Sequence, residues 1–118
     1  GNKKSERYYL NDKLHNINGP AEINYYENGN KESDFYYLND KLHNNTGPTA
    51  IYYNLNGNKE SESYCLNSEL HNENGPAKII YDENGDIESQ YYYLNNKFLE
   101  NVHSLEKLKR YIKLNNIS

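Results

Sequence analysis

Leu10, Leu38, Leu66 and Leu94 stand 28 residues apart, and this interval constrains the fold more than any other feature. His15, His43 and His71 keep it, as do Gly19-Pro20, Gly47-Pro48 and Gly75-Pro76, and Asn28-Gly29, Asn56-Gly57 and Asn84-Gly85. All seven Gly and all three Pro fall on repeat positions, so the period punctuates the whole chain. A fixed period of this length marks a repeat architecture, in which each unit buries its apolar surface against its neighbours. Gly1 fits the register too, since GNKKSERYYL matches GNKESDFYYL from Gly29. The chain thus opens in mid-unit, as would a segment of a longer array, a chosen domain boundary, or an added glycine matching by coincidence.

Within a unit the punctuation predicts strands. Ala21-Glu22-Ile23-Asn24-Tyr25 alternates apolar and polar residues, the period of a half-buried strand. Pro20 is tolerated just before it, at a strand's first position. Asn28-Gly29 accepts the positive φ of a tight hairpin, and the Tyr- and Phe-rich run Lys31 to Leu38 forms the returning strand. Asn39-Asp40 then turns the chain into a short third piece, so each unit extends an antiparallel meander. A two-residue turn at Asn28-Gly29 would put Ala21, Ile23, Tyr25, Tyr36 and Leu38 on one face. Its weak point is that Glu32 and Asp34 join them. A three-residue turn with a glycine bulge would slip one strand by a residue.

The fourth unit breaks the pattern. From Ser104 the apolar spacing turns helical, with Leu105, Leu108 and Ile112 on one stripe and Ser104 placed as N-cap. Repeat arrays need an atypical terminal unit to cover the last exposed surface. The expected architecture is mostly β. Residues 1–98 form three and a half β-hairpin repeats in an elongated, twisted, single-layer sheet, closed by an amphipathic α-helix within 99–118.

Composition excludes several function classes. In 118 residues, 35% are hydrophobic, but fourteen Tyr argue for a folded domain over a disordered one. No apolar run approaches the roughly 18–20 residues that span a bilayer, and no signal-like segment opens the sequence. One cysteine excludes a disulfide framework or a multi-Cys zinc site. A net charge of −4 counts against a dedicated nucleic-acid surface. The lone cysteine fits a reducing cytosol, so a bacterial or host cytoplasm is the favoured compartment.

The units YYLNDKLHNINGPAEINYYENGNKES and YYLNDKLHNNTGPTAIYYNLNGNKES resemble the MORN-repeat superfamily, in the divergent variants of phages, giant viruses and AT-rich bacteria. The likeness covers Gly1 to about Phe98. It departs from the standard motif in the 28-residue unit and in lacking Trp. The resemblance implies an elongated sheet of hairpins used as an interaction scaffold, in some variants with an immunity-like role. It brings no catalytic residues and no cofactor.

The chemistry-bearing residues support no enzyme. With two strands per unit, equivalent positions lie about 9–10 Å apart, so His15, His43 and His71 cannot share a metal ion; each is expected to satisfy a loop carbonyl or pack beside its Gly-Pro turn. Cys65 replaces a repeat Tyr and has no paired base. No Gly-rich loop precedes a helix, and the carboxylates are spread with the repeat. The positions that vary between otherwise alike units are more telling. Arg7, Tyr26, Phe35, Tyr37, Tyr52 and Tyr91 fall on the face opposite the invariant apolar set, with aromatic anchors among polar neighbours, as at protein interfaces. The leading expectation is a non-enzymatic module binding a protein partner there, as an immunity-type or phage-type inhibitor would. The alternatives are a carbohydrate or cell-wall binding module and a nucleotide-binding sponge. The N-terminal sheet edge is the expected site of any homo-oligomer.

Overall fold

The computed structural model describes residues 4–115. In chain order its elements are β1 (Ser5–Arg7), β2 (Tyr9–Leu10), β3 (Lys13–Leu14), β4 (Glu22–Tyr25), β5 (Lys31–Phe35), β6 (Tyr37–Leu38), β7 (Lys41–Leu42) and β8 (Ala50–Tyr53). There follow β9 (Lys59–Ser63), β10 (Cys65–Leu66), β11 (Glu69–Leu70), β12 (Lys78–Tyr81), β13 (Ile87–Tyr91), β14 (Tyr93–Leu94), β15 (Lys97–Phe98) and α1 (Leu105–Leu114). Seven strands form one antiparallel sheet in the order β1-β4-β5-β8-β9-β12-β13, which does not close into a barrel. The molecule measures 53 × 39 × 19 Å, the shape of an elongated single-layer sheet.

The short third piece of each unit does not join that sheet. β2–β3, β6–β7, β10–β11 and β14–β15 are separate two-stranded ribbons. Their turns are the true two-residue ones: Asn39 and Asp40 have φ of 51° and 66°, and the equivalent pairs in the other units match. Consecutive positive φ is the signature of a type I′ turn.

The main hairpin turn differs from the two-residue expectation. Tyr26 N–H donates to Asn30 O at 2.9 Å and Gly29 N–H to Tyr26 O at 3.0 Å, enclosing a three-residue turn. Gly29 is left-handed at φ 91°, whereas Asn28 has no positive φ, so the turn is type I with a glycine bulge. A second irregularity between Asn24 and Tyr25 then skips Glu32, because Tyr25 pairs with Lys31 while Asn24 pairs with Ser33. The two offsets cancel. Ile23 therefore still faces Asp34, as a plain two-residue turn would have it, and only Glu32 escapes to solvent.

Asp34 stays among the apolar residues, 3% exposed, because the repeat supplies its partners. Tyr53 Oη donates to Asp34 Oδ2 at 2.9 Å, and Lys31 Nζ lies 3.3 Å away. Tyr25 Oη donates to Glu6 Oε1 at 2.7 Å, and Tyr81 Oη donates to Glu62, which also accepts from Lys59 Nζ at 3.1 Å. In each case a tyrosine bonds a carboxylate of the preceding unit, and for Asp34 and Glu62 that carboxylate is buried, so the charge joins units.

Two of the histidines do a related task, bonded to a backbone amide where a loop carbonyl was one expectation. Asn39 N–H donates to His15 Nδ1 at 3.1 Å and Asn95 N–H to His71 Nδ1 at 2.9 Å, so these rings accept from the next unit's turn and do not satisfy a loop carbonyl. Leu14 N–H donates to Asp40 Oδ1, and Asp40 N–H returns a bond to Leu14 O. Inside each loop, Asn16, Asn44 and Asn72 donate to the carbonyls of Pro20, Pro48 and Pro76.

The helix closes the last unit. Ser104 Oγ accepts from Lys107 N–H at the N-cap. Leu108 is fully buried in a cluster with Tyr92, Leu94, Leu99 and Val102, against which Tyr111 and Ile112 also pack. Leu99 stands where the other units carry His, which turns a hydrogen-bonding wall into an apolar seat.

Candidate functional site

The register lines up one residue from each main strand. Arg7 pairs with Glu22, Glu22 with Phe35, Phe35 with Ala50, Ala50 with Ser63, Ser63 with Lys78, and Lys78 with Tyr91. The neighbouring row on the same face runs Ser5, Asn24, Ser33, Tyr52, Ser61, Ile80 and Ser89. Opposed residues share a face, so the two rows form one continuous surface.

Three of the sequence-selected rings meet on it. Phe35 and Tyr52 touch edge to face with centroids 5.6 Å apart at 84°, and Phe35 lies 6.5 Å from Tyr37. Edge-to-face contact is the favoured geometry for rings with a negative face and positive rim. Tyr52 is nonetheless 43% exposed. Tyr91 belongs to a second cluster with Phe98, 6.1 Å away, and Phe98 in turn lies 5.4 Å from Tyr93. Four strand steps separate Phe35 from Tyr91, about 19 Å at 4.8 Å per strand. Between them lie the small side chains of Ala50 and Ser63, followed by Lys78.

The remaining two selected residues lie outside these clusters. Arg7 is on the same row but at its far end, with Nε 3.2 Å from Glu22 Oε1. Glu22 also accepts from Asn24 Nδ2 at 3.0 Å. Tyr26 lies past the end of β4, where its hydroxyl donates to Tyr53 O at 2.7 Å and helps stack one hairpin tip on the next. Phe98 was not singled out from the sequence. Its signal was present, because Phe replaces the Leu14, Leu42 and Leu70 of the other units.

The surface has little reactive character. Cys65 holds the position of Tyr37 and is half-buried; burial pushes its thiol upward, only partly offset by the nearby Thr49 side chain. That disfavours a thiolate nucleophile. Burial also raises the Tyr37 hydroxyl. Among the described residues no group of three His, Cys, Asp or Glu could hold a metal ion, and no helix is long and apolar enough to cross a membrane. A groove of about 660 Å³ lies elsewhere, between the loops of the second and third units. No family model, curated protein or solved structure matches the chain.

Proposed function

We propose that the protein is a non-enzymatic interaction scaffold that binds a protein partner on the face carrying Phe35, Tyr37 and Tyr52. The observation that carries this reading is the Phe35–Tyr52 contact, a pre-packed aromatic pair left open to solvent on a rigid sheet. Aromatic anchors that are already ordered lose little conformational freedom on binding, which is why they concentrate in binding hot spots. The saddle of Ala50 and Ser63 beside them lets a partner approach the backbone, and Tyr91 with Phe98 offers a second anchor point. An immunity-type or phage-type inhibitor is the role that the MORN resemblance implies for such a face.

The test is capture from lysate with the wild-type chain and with a Phe35→Ala/Tyr52→Ala variant whose melting curve is unchanged. One retained protein that the variant loses supports the proposal. Equal retention by both removes this face. Retention of cell-wall glycan with no protein replaces the proposal with a carbohydrate-binding one. Self-association through the one-sided edge of β1 is a separate part of the proposal, and a monomer mass by light scattering at high concentration would remove it.

A further inference from the structure

The helix α1 fills one of three repeat-related grooves. Its seat is floored by Tyr92 and Leu94 and walled on one side by Leu99 and Val102. On the other side Lys109 Nζ donates to Asn74 Oδ1 at 3.0 Å. One repeat earlier the floor residues are Tyr64 and Leu66, and two repeats earlier Tyr36 and Leu38. Each of those pairs floors an open groove, of about 660 Å³ and about 450 Å³ respectively. The floor is kept but its cover differs: Leu94 is 3% exposed beneath the helix, and its equivalent Leu66 is 42% exposed.

We propose that the groove floored by Tyr64 and Leu66 binds an amphipathic helix of a partner protein, laid alongside α1 as α1 lies in its own seat. Three observations carry this. The first is that the same chain already docks a helix in the repeat-related position, with Leu108 as its fully buried knob. The second is spacing. Two strands per unit set neighbouring grooves about 9–10 Å apart, and packed helices stand about 8–10 Å apart. A helix in this groove therefore meets α1 at ordinary packing distance, and Lys109 of α1 lines the groove.

The third is charge. Lys109 is the residue of α1 that lines the groove, with Glu73 among the loop residues that line it too, so the occupant sets an acidic side chain on the α1 side. His71 and Asn74 stand where α1's own seat has Leu99 and Val102, so the occupant's apolar stripe is narrow and bordered by polar side chains. Phe35, Tyr52 and Tyr91 do not line this groove, which makes it a second surface independent of the aromatic one.

The probe is a capped peptide of residues 104–115 with Lys107→Glu, Arg110→Glu and Lys113→Glu, titrated into the full chain and followed by amide NMR. Saturable shifts at Tyr64, Leu66 and His71, with weaker binding of the unaltered basic peptide, are expected. Leu66→Glu at this exposed position should weaken binding about tenfold or more, the size of a lost hot-spot contact. Lys109→Glu should reverse the preference between the two peptides, which tests the site even if the first variant folds poorly. The proposal is overturned by shifts confined to Tyr92 and Leu94, which would mean exchange with α1 itself. It is equally overturned by equal binding of both peptides, or by an oligosaccharide shifting Tyr64 and Leu66 where the peptide does not.

Discussion

The Tyr53 hydroxyl lies 2.9 Å from Asp34 Oδ2 and ties the second hairpin to a carboxylate that the first has buried. Without it, Asp34 would keep only Lys31 as a side-chain partner among the described residues. Leaving a buried charged acceptor short of a donor costs about 1–3 kcal/mol. Tyr53→Phe should therefore lower stability by about that amount, whereas Tyr52→Phe, on the exposed face, should change it by less than about 0.5 kcal/mol. Urea unfolding of the two variants side by side checks the contrast.

Alkali should act through the same ladder. The Glu6 carboxylate accepting from Tyr25 raises that hydroxyl to about 12, with burial adding to it; burial and then the bond to Glu62 raise Tyr81 to about 12. Tyr53 is also pushed upward, by burial first and by Asp34 second. An unfolded tyrosine titrates near 10. Between those values the folded chain holds more protons than the unfolded one, so stability falls as pH rises. Stability from these groups should be fully present below about pH 10 and decline toward about pH 12. Tyrosinate absorbance should show a late-titrating fraction that shrinks in Tyr25→Phe.

Gly57 isolates backbone strain from packing. Its φ is +90°, and an added Cβ would meet nothing within 4 Å. Gly57→Ala should cost about 1–2 kcal/mol through the left-handed conformation alone. The denaturation midpoint should drop with an unchanged m-value.

The terminal helix depends on a single knob. Leu108 is fully buried, so Leu108→Ala should cost about 2–5 kcal/mol and release the helix from Tyr92 and Leu94. Ser104→Ala, which removes the bond to Lys107 N–H, should cost about 1 kcal/mol and leave the helix docked. Circular dichroism with near-ultraviolet tyrosine signals distinguishes release from simple destabilisation.

Much of the architecture was legible because glycine, asparagine and proline at fixed intervals specify turns locally. The pairing of Ile23 with Asp34 was legible for the same reason, even though the turn type behind it was not. Two bulges of opposite effect leave no trace in an alternation pattern, since the face assignments on either side agree. The partners of Asp34 and His15 were hidden for a different reason. Each bond crosses to the next unit, 19 and 24 residues away, and sequence periodicity reports only that a position repeats. Among the selected binding residues, Phe35 and Tyr52 meet because they occupy neighbouring positions on adjacent strands of one face, and Tyr37 reaches Phe35 from the ribbon that follows β5. Tyr26 was separated from them by the hairpin tip, whose stacking on Tyr53 O depends on the turn geometry.

The ladder of tyrosine hydroxyls, histidine rings and turn amides connects each hairpin to the one beside it. Such an array behaves as a row of coupled elements, with order passed only between adjacent members. Its two ends are unequal: β1 and β13 are both outer strands, but only the last unit carries a packed lid. Heat or denaturant should therefore peel the row open from Ser5 toward Leu94, giving amide exchange that slows unit by unit along the chain.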